Sequence, residues 1–441
     1  MNVIITTGIP IKSPLKLEIC IIEKLLQNKK FENLIDSQIS SYGVDSFRPH
    51  FDALARVGYF EIGLEVFKPV SYKKRLLHNY YRIFMWSIIL TYNLQHVIRA
   101  IQVRHSTEQM VDTLFILLTT LNTLGKQIAF NARACRIKCI TRQTYNTPLF
   151  SRNSFHERVL KTNAVAMSRL LTLYQVAVFV CGALWTVFPI VNRATGYEVK
   201  FTGYFPFDTK ESPVFELALT YMSVLIMAQA YGNVTMDCTI VAFYAQAKTQ
   251  LQMIRFDLEH FNDCNNIKRD ERGLIENRCN LFSDLDQSGA SILKARLQRC
   301  VKHYEQIVWW VESIFGEAMF IQFIVSAWVI CMTVYKIIDL SILSAEFVSM
   351  AVYLGCMLAQ LFIYCYYGTQ LKVESESVNQ SVYSCEWLSL SPRYRSNLLI
   401  IMERCHRAIV PRVAYIVPMS LETYIVVLRS SYTLFTFLER K

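Results

Sequence analysis

Glycine, proline and charged residues are all scarce in this chain of 441 residues, which has 14 glycines, 11 prolines and 18% charged side chains. So little glycine excludes a collagen-like repeat, and no proline-, glycine- or serine-rich stretch divides the chain into separate domains. Hydrophobic residues make up 53% of the chain, and its mean hydropathy is +0.25. This is too apolar for a soluble enzyme of this length and predicts one polytopic helical membrane protein.

Motifs of catalysis are missing as well. The sequence contains no Gly-x-Gly-x-x-Gly, Gly-x-x-x-x-Gly-Lys, His-Glu-x-x-His or Gly-x-Ser-x-Gly. Cys135 and Cys139 come nearest to a metal-binding pair, but they stand among Arg133, Arg136 and Lys138 without a second pair beside them. We therefore expect no enzyme, no metal site and no cofactor.

Seven stretches are candidates for crossing a bilayer, which takes roughly 20 mostly apolar residues. They are residues 83–98, 113–132, 170–192, 217–236, 318–335, 347–371 and 413–438. Lys126 interrupts the second stretch near its end, where its long stem is expected to snorkel to the headgroups. The last stretch contains Glu422 and Arg429, so hydropathy alone rates it poorly.

The basic residues give these spans a direction. Segments 1–78, 133–169, 237–302 and 372–412 hold 35 of the 46 lysines and arginines, whereas the alternate segments hold 8. Because cytoplasmic loops carry this excess, the N-terminus is predicted to be cytoplasmic and the C-terminus external. The net charge of +11 then reflects loops beside anionic membrane lipid, and no nucleic-acid partner is expected.

Two other classes of membrane protein fit less well. G-protein-coupled receptors also have seven spans, but their N-terminus is external, and the Asp-Arg-Tyr and Asn-Pro-x-x-Tyr motifs of their third and seventh helices are missing here. A secondary transporter is not favoured by an odd number of spans without a repeated half.

The last quarter of the chain carries a more specific pattern. Its elements are Ser377 and Tyr383 upstream of Trp387, the Met402-Glu-Arg404 triplet, and Ser420-Leu421, Arg429 and Ser431-Tyr432 in the last span. This order and spacing resembles the insect odorant receptor family, with a weaker match at Pro213, Tyr221 and Asp237 around the fourth span. The stretch from His406 to Val410 departs from the Gln-x-Pro-like sequence usual in that family.

The resemblance implies an all-α membrane protein that works as an odorant-gated, non-selective cation channel subunit in the plasma membrane of olfactory sensory neurons. Family subunits form tetramers with the shared odorant co-receptor around a pore lined by the last helix. Cytoplasmic extensions of the helices form an anchor domain, and each subunit binds a small hydrophobic volatile in the outer half of its bundle. The alternatives are a G-protein-coupled-like receptor and a gustatory-type channel without co-receptor.

This architecture assigns a role to each segment. Residues 1–78 form a cytoplasmic segment, 79–236 the four-helix ligand-binding bundle, 237–302 a cytoplasmic helix extension and loop, 303–371 the fifth and sixth spans, 372–412 the anchor helix, and 413–441 the pore helix and external C-terminus. Apolar residues at three- and four-residue steps after Asp237 independently predict that the fourth helix continues inward. Residues 261–290 are polar and irregular, which predicts a loop.

Trp185 is the first candidate for ligand binding, because Val178 and Cys181 share its face of the third span and Gly182 leaves local room. By family position, the other candidates are Phe115, Leu118, Tyr221, Leu225, Met350 and Tyr353. Dispersion contacts with such a wall suit an aromatic or terpenoid volatile better than an acid or an amine. For any single residue, ordinary helix packing is an equally good explanation.

The last span supplies the candidates for the pore. Leu428, Ser431 or Tyr432, Phe435 and Glu439 recur at three or four residues, which stacks apolar, hydroxyl, apolar and acidic rings in a tetramer. Phe435 is the predicted gate, and the alternative is that it packs against neighbouring helices. Tyr383 and Trp387 are predicted to carry contacts between subunits, or else to pack within one.

Overall fold

A computed structural model describes residues 46–61, 71–146, 154–196, 201–209, 211–260, 287–313, 316–338, 345–385, 392–413 and 416–439. Within these ranges the chain forms eleven helices and one short hairpin. The helices are α1 (Arg48–Arg56), α2 (Tyr72–Gln102), α3 (Thr107–Ala132), α4 (Ala134–Asn146), α5 (Ser154–Ala194), α6 (Val214–Glu259), α7 (Gln287–Ser313), α8 (Gly316–Ile338), α9 (Ala345–Ser384), α10 (Pro392–Cys405) and α11 (Leu421–Glu439).

The long helices exceed the thickness of a membrane. At about 1.5 Å per residue, the 46 residues of α6 span about 70 Å and the 40 residues of α9 about 60 Å, against roughly 30 Å of hydrocarbon. Helix α6 continues without a break to Glu259, as the apolar spacing after Asp237 predicted. Among the described residues, three helices are long and apolar enough to cross a bilayer: Ser154–Ala194, Val214–Glu259 and Phe347–Ser384.

Helix α6 lies at the centre of the fold. Residues 235 to 247 are buried on every side, as expected of a helix surrounded by others. Helices α5 and α9 pack along it, and α1 covers a further side, where the Phe47 ring stacks on Phe243 at a centroid distance of 4.5 Å. Helices α3 and α8 pack together beside this group, and α11 packs against α8 and α9.

Glu61, which follows α1, links this part of the chain to two helices at the predicted cytoplasmic side. Its carboxylate accepts a hydrogen bond from Lys138 of α4, and it lies 3.9 Å from guanidinium nitrogens of Arg75 and Arg82 of α2. Burial alone raises the pKa of Glu61, but the three cations outweigh it and hold this pKa below its ordinary value. The segment after α1 is thereby fixed to α2 and α4.

The last helix begins later than the sequence predicted. Residues Arg412–Val413 and Val417–Pro418 form an antiparallel hairpin of strands β1 and β2, and α11 starts only at Leu421. The predicted start of the span at residue 413 is therefore wrong. Pro418 explains the difference, because proline lacks a backbone N–H and holds the preceding Val417 in an extended conformation.

The structure describes only the end of the predicted loop at 261–290. Residues 261–286 lie outside the described part of the chain, and residues 287–290 already belong to α7. The loop prediction was therefore too long at its C-terminal end.

Candidate ligand-binding site

A cavity of about 400 Å³ lies between α3, α5, α6 and α9. Its predicted outer part is aromatic: the Tyr353 ring lies 5.0 Å from Phe115 and 6.4 Å from Trp185, measured between centroids. Gly182 of α5 leaves room for the end of the Met227 side chain of α6, which a Cβ at this position would displace. The volume is near the lower end of the roughly 300–1,000 Å³ found for small-molecule pockets.

The nine residues predicted to bind ligand fall into two groups. Five line the cavity: Phe115, Val178, Cys181, Trp185 and Tyr353. The other four, Leu118, Tyr221, Leu225 and Met350, do not contribute to the wall. Ligand contact by any of the nine residues stays a prediction.

Tyr221 and Leu225 lie on α6 before Ile226, the first residue of this helix that lines the cavity. They belong to a separate hydrophobic cluster. Both residues pack there with the buried Tyr92 of α2. The Tyr221 hydroxyl donates to Oε1 of Gln95 at 3.1 Å.

An ion pair closes the predicted inner end of the cavity. Lys126 of α3 donates to the carboxylate of Asp237 on α6, which also accepts hydrogen bonds from Gln360 and Tyr364 of α9. Lys126 donates as well to Oδ1 of Asn233 at 2.9 Å. Asn233 and Gln360 also line the cavity, so the ligand space ends on this polar cluster.

The expectation that Lys126 snorkels to the headgroups is wrong. Its side chain is 1% exposed, because Asp237 and Asn233 give its ammonium group partners inside the bundle. A charge buried away from water persists in this way only when it is paired and hydrogen-bonded.

Cysteines from two helices meet in the cavity wall. The Sγ atoms of Cys181 on α5 and Cys356 on α9 lie 3.4 Å apart, within range of a thiol hydrogen bond. Cys181 was predicted from the sequence and Cys356 was not, because helical periodicity gives the face of a helix but not the residue that faces it on a neighbouring helix.

The predicted pore residues lie on different sides of α11. Leu428 packs against the core, and the buried Ser431 donates to the carbonyl oxygen of Val427 at 2.9 Å. Tyr432 is 67% exposed on the surface of the subunit. The side chains of Phe435 and Glu439 lie outside the described residues. The pore assignment therefore stays a prediction, and Tyr432 is the hydroxyl residue that faces outward.

The predicted assembly segment is divided between packing and surface. Val378, Val382 and Leu398 are buried within the subunit, whereas Tyr383 is 65% exposed at the end of α9. Trp387 lies outside the described residues. Leu399 and Ile400 of α10 are also exposed apolar residues.

Comparison with known proteins identifies the family. A model described as 7tm Odorant receptor matches residues 106–432. The chain belongs to this family. The resemblance found in the last quarter of the sequence is thus confirmed.

Relatives of this odorant receptor are distant. Odorant receptor 23a of Drosophila melanogaster is 24% identical over 352 residues, which cover 76% of this chain and 84% of the relative. Odorant receptor Or2 of Anopheles gambiae is 25% identical over 154 residues, or 34% of this chain and 40% of that protein. The odorant receptor coreceptor of Aedes albopictus is 26% identical over 181 residues, which cover 41% of this chain and 36% of the relative. The matches to Or2 and the coreceptor thus span less than half of those proteins.

Solved structures share the fold. The olfactory receptor OR5 of Machilis hrabei matches with a TM-score of 0.75 at 14% identity, covering 89% of this odorant receptor and 97% of that chain. Its complex with eugenol matches with a TM-score of 0.71, covering 90% and 97%. The predicted all-α membrane fold is thereby confirmed.

Proposed function

We propose that this odorant receptor is a tuning subunit of an odorant-gated, non-selective cation channel in the plasma membrane of olfactory sensory neurons. It crosses the membrane seven times, with a cytoplasmic N-terminus and an external C-terminus, and it assembles with the odorant co-receptor in a heterotetramer. The loop charges support this orientation. The segment roles predicted from the sequence fit it, with the pore helix starting at Leu421.

The cavity is the observation that carries the proposal. It is walled by α3, α5, α6 and α9 and lined mainly by apolar and aromatic side chains, which suits a small hydrophobic volatile. OR5 of Machilis hrabei, which shares the fold, was solved in complex with eugenol, a small aromatic molecule. The nine residues predicted for ligand binding include five in this wall, with Trp185 and Tyr353 at its aromatic end.

Helix α9 connects this cavity to the proposed pore helix. Tyr353 and Gln360 of α9 line the cavity, and Phe362, half a turn further on, packs edge to face against Tyr424 of α11 at 5.7 Å. A packed interface of this kind has discrete arrangements and transmits displacement of one helix to the other. Ligand binding that shifts α9 therefore shifts the start of α11.

Exposed surfaces support assembly. One side of α11 presents Ile425, Val426 and Tyr432 outside the subunit, and Tyr383 and Ile400 are exposed near the end of α9 and on α10. Apolar residues exposed in this way commonly mark contact surfaces. In the proposal, those of α11 face lipid, the pore or a neighbouring subunit, and those of α9 and α10 face a neighbouring subunit. Gating residues in the proposal are Leu428, Tyr432 and Phe435, with Glu439 at the outer mouth.

The test is whole-cell current in cells that express this odorant receptor with and without the co-receptor, during exposure to a panel of aromatic and terpenoid volatiles. The proposal expects a volatile-evoked cation current with the co-receptor and little or none with either subunit alone. Current from this chain alone would favour a self-sufficient channel. A second-messenger response without current would favour the G-protein-coupled alternative.

A further inference from the structure

One amide side chain in the cavity wall makes no hydrogen bond with the described part of the subunit. Gln229 of α6 lines the cavity and is 3% exposed. Neither its Oε1 nor its Nε2 has a hydrogen-bond partner among the described residues. Because a buried amide without partners is costly, its place in the wall needs an explanation other than packing.

Five other polar side chains of the wall already have hydrogen-bond partners inside the subunit. Asn233 accepts from Lys126, and Gln360 donates to Asp237. Three threonines donate to carbonyl oxygens of their own helix at 2.8 to 3.0 Å: Thr119, Thr120 and Thr123. Gln229 differs from all of these, since both its donor and its acceptor remain open to a molecule in the cavity.

A second open group lies on the neighbouring helix. Tyr174 of α5 also lines the cavity, one helical turn before Val178, and its hydroxyl has no hydrogen-bond partner within the described ranges. Gln229 and Tyr174 therefore offer an amide and a hydroxyl to the same space, and the hydroxyl of Tyr353 on α9 is likewise buried there without a partner among the described residues. Gln229 is the one of these three that offers both a strong donor and a separate acceptor, while the rings of Trp185 and Tyr353 offer apolar faces.

We propose that Gln229 determines the specificity of this cavity and selects volatile alcohols and phenols over hydrocarbons of the same shape. A hydroxyl group can donate to Oε1 of Gln229 and accept from its Nε2 or from Tyr174, whereas a carbonyl or ether oxygen can only accept. An ionised ligand gains no free counter-charge here, because Lys126 and Asp237 are already paired with each other. The hydrocarbon body of the alcohol occupies the aromatic end. This inference rests on the proposed odorant site and names its ligand class.

Whether the alcohol or the hydrocarbon of the same shape binds more tightly distinguishes recognition by Gln229 from binding by shape alone. A purely apolar cavity favours the hydrocarbon, since it has no hydroxyl group to dehydrate. A cavity that contains an open amide favours the alcohol, because the hydrocarbon displaces water from Gln229 and leaves nothing in its place.

The experiment measures the thermal stabilisation of the purified full chain in detergent by two matched pairs, phenylethanol with ethylbenzene and geraniol with its deoxygenated hydrocarbon. The wild-type chain should bind each alcohol at least about tenfold more tightly than its hydrocarbon partner. Gln229→Leu and, as a second variant of similar length, Gln229→Met should abolish or reverse this preference.

Gln127→Leu is the matched control. Gln127 of α3 is likewise a buried amide whose side-chain atoms have no partner among the described residues, but it does not line the cavity. Its replacement should leave the preference for alcohols unchanged.

Three results would overturn the inference. The first is equal or tighter binding of the hydrocarbons by the wild-type chain. This result needs no variant to interpret, and it contradicts the preference for alcohols but not the proposed ligand site. An equal change of preference in Gln127→Leu and Gln229→Leu would assign the effect to general loosening of the bundle. Failure of all four compounds to stabilise the wild-type chain would contradict both the ligand class and the proposed site.

Discussion

The backbone N–H of Leu421, the first residue of α11, donates to the hydroxyl of Thr369 on α9 at 3.0 Å. One residue earlier on α9, Gly368 accommodates the carbonyl oxygen of Met419, which a Cβ at that position would strike. The helix that lines the cavity with Tyr353 and Gln360 thus also holds the beginning of the proposed pore helix.

Thr369→Val should weaken the transmission from cavity to pore. Valine has a similar shape but cannot accept the Leu421 hydrogen bond, and loss of a helix N-terminal cap costs about 0.5–2 kcal/mol. We expect the half-maximal volatile concentration for current to rise at least about threefold, while binding to the purified chain stays unchanged. Thr369→Ser keeps the acceptor and should behave like wild type. Equal currents in all three proteins would show that this contact does not transmit gating.

The Lys126–Asp237 pair should be strongly non-additive under mutation. Lys126→Met and Asp237→Asn each leave an uncompensated group in the bundle, and each should lower the free energy of unfolding by about 3–5 kcal/mol. The double variant should lose clearly less stability than the two single losses added together. Thermal melting of the purified proteins measures this. Lys302→Met, at an exposed position of α7, is the control. Additive losses would mean that the two charges act independently.

Trp185→Ala should change ligand response without removing the protein from the cell surface. The substitution enlarges the aromatic end of the cavity and removes contacts that a volatile would make, so the half-maximal concentration should rise by about tenfold or more. Phe179→Ala is the matched control, since Phe179 is an exposed aromatic residue of the same helix outside the cavity wall. Unchanged potency of Trp185→Ala for every active volatile would count against this cavity.

Phe435→Ala tests the predicted gate. A smaller side chain at an apolar constriction admits water, so current without ligand should rise or ion permeability should change. Thr436→Ala, the adjacent position on α11, should leave both unchanged. Reduced surface expression with normal conduction in the remaining channels would instead assign Phe435 to packing. In the proposed heterotetramer the co-receptor also contributes to the mouth, so the effect should grow with the number of copies of this subunit.

Hydropathy and periodicity predicted the helices well. Six of the seven predicted spans fall within single helices, and the continuation of α6 past Asp237 followed from apolar spacing alone. The start of α11 was missed, although Pro418 was visible in the sequence, because the residues around it are apolar and satisfy a hydropathy window.

The site was harder to predict than the fold, because its geometry depends on which helices are neighbours. Periodicity placed Val178, Cys181 and Trp185 on one face, but it could not show that Cys356 faces Cys181 or that Tyr221 turns toward Tyr92. The polar residues were the neglected signal. Gln229, Asn233 and Gln360 interrupt apolar spans, and such residues commonly mark paired or functional positions in a membrane helix.

The central claim, that a volatile bound to this odorant receptor opens an ion channel of which it is a part, is tested most directly by excised outside-out patches from cells that co-express it with the co-receptor. The pipette solution contains no nucleotide, so G-protein signalling is not supported. The account predicts that an active volatile evokes a cation current in the patch within the time of solution exchange, and that Trp185→Ala shifts its concentration dependence. Current that is present in whole cells but lost in every excised patch, together with a second-messenger response, would contradict it.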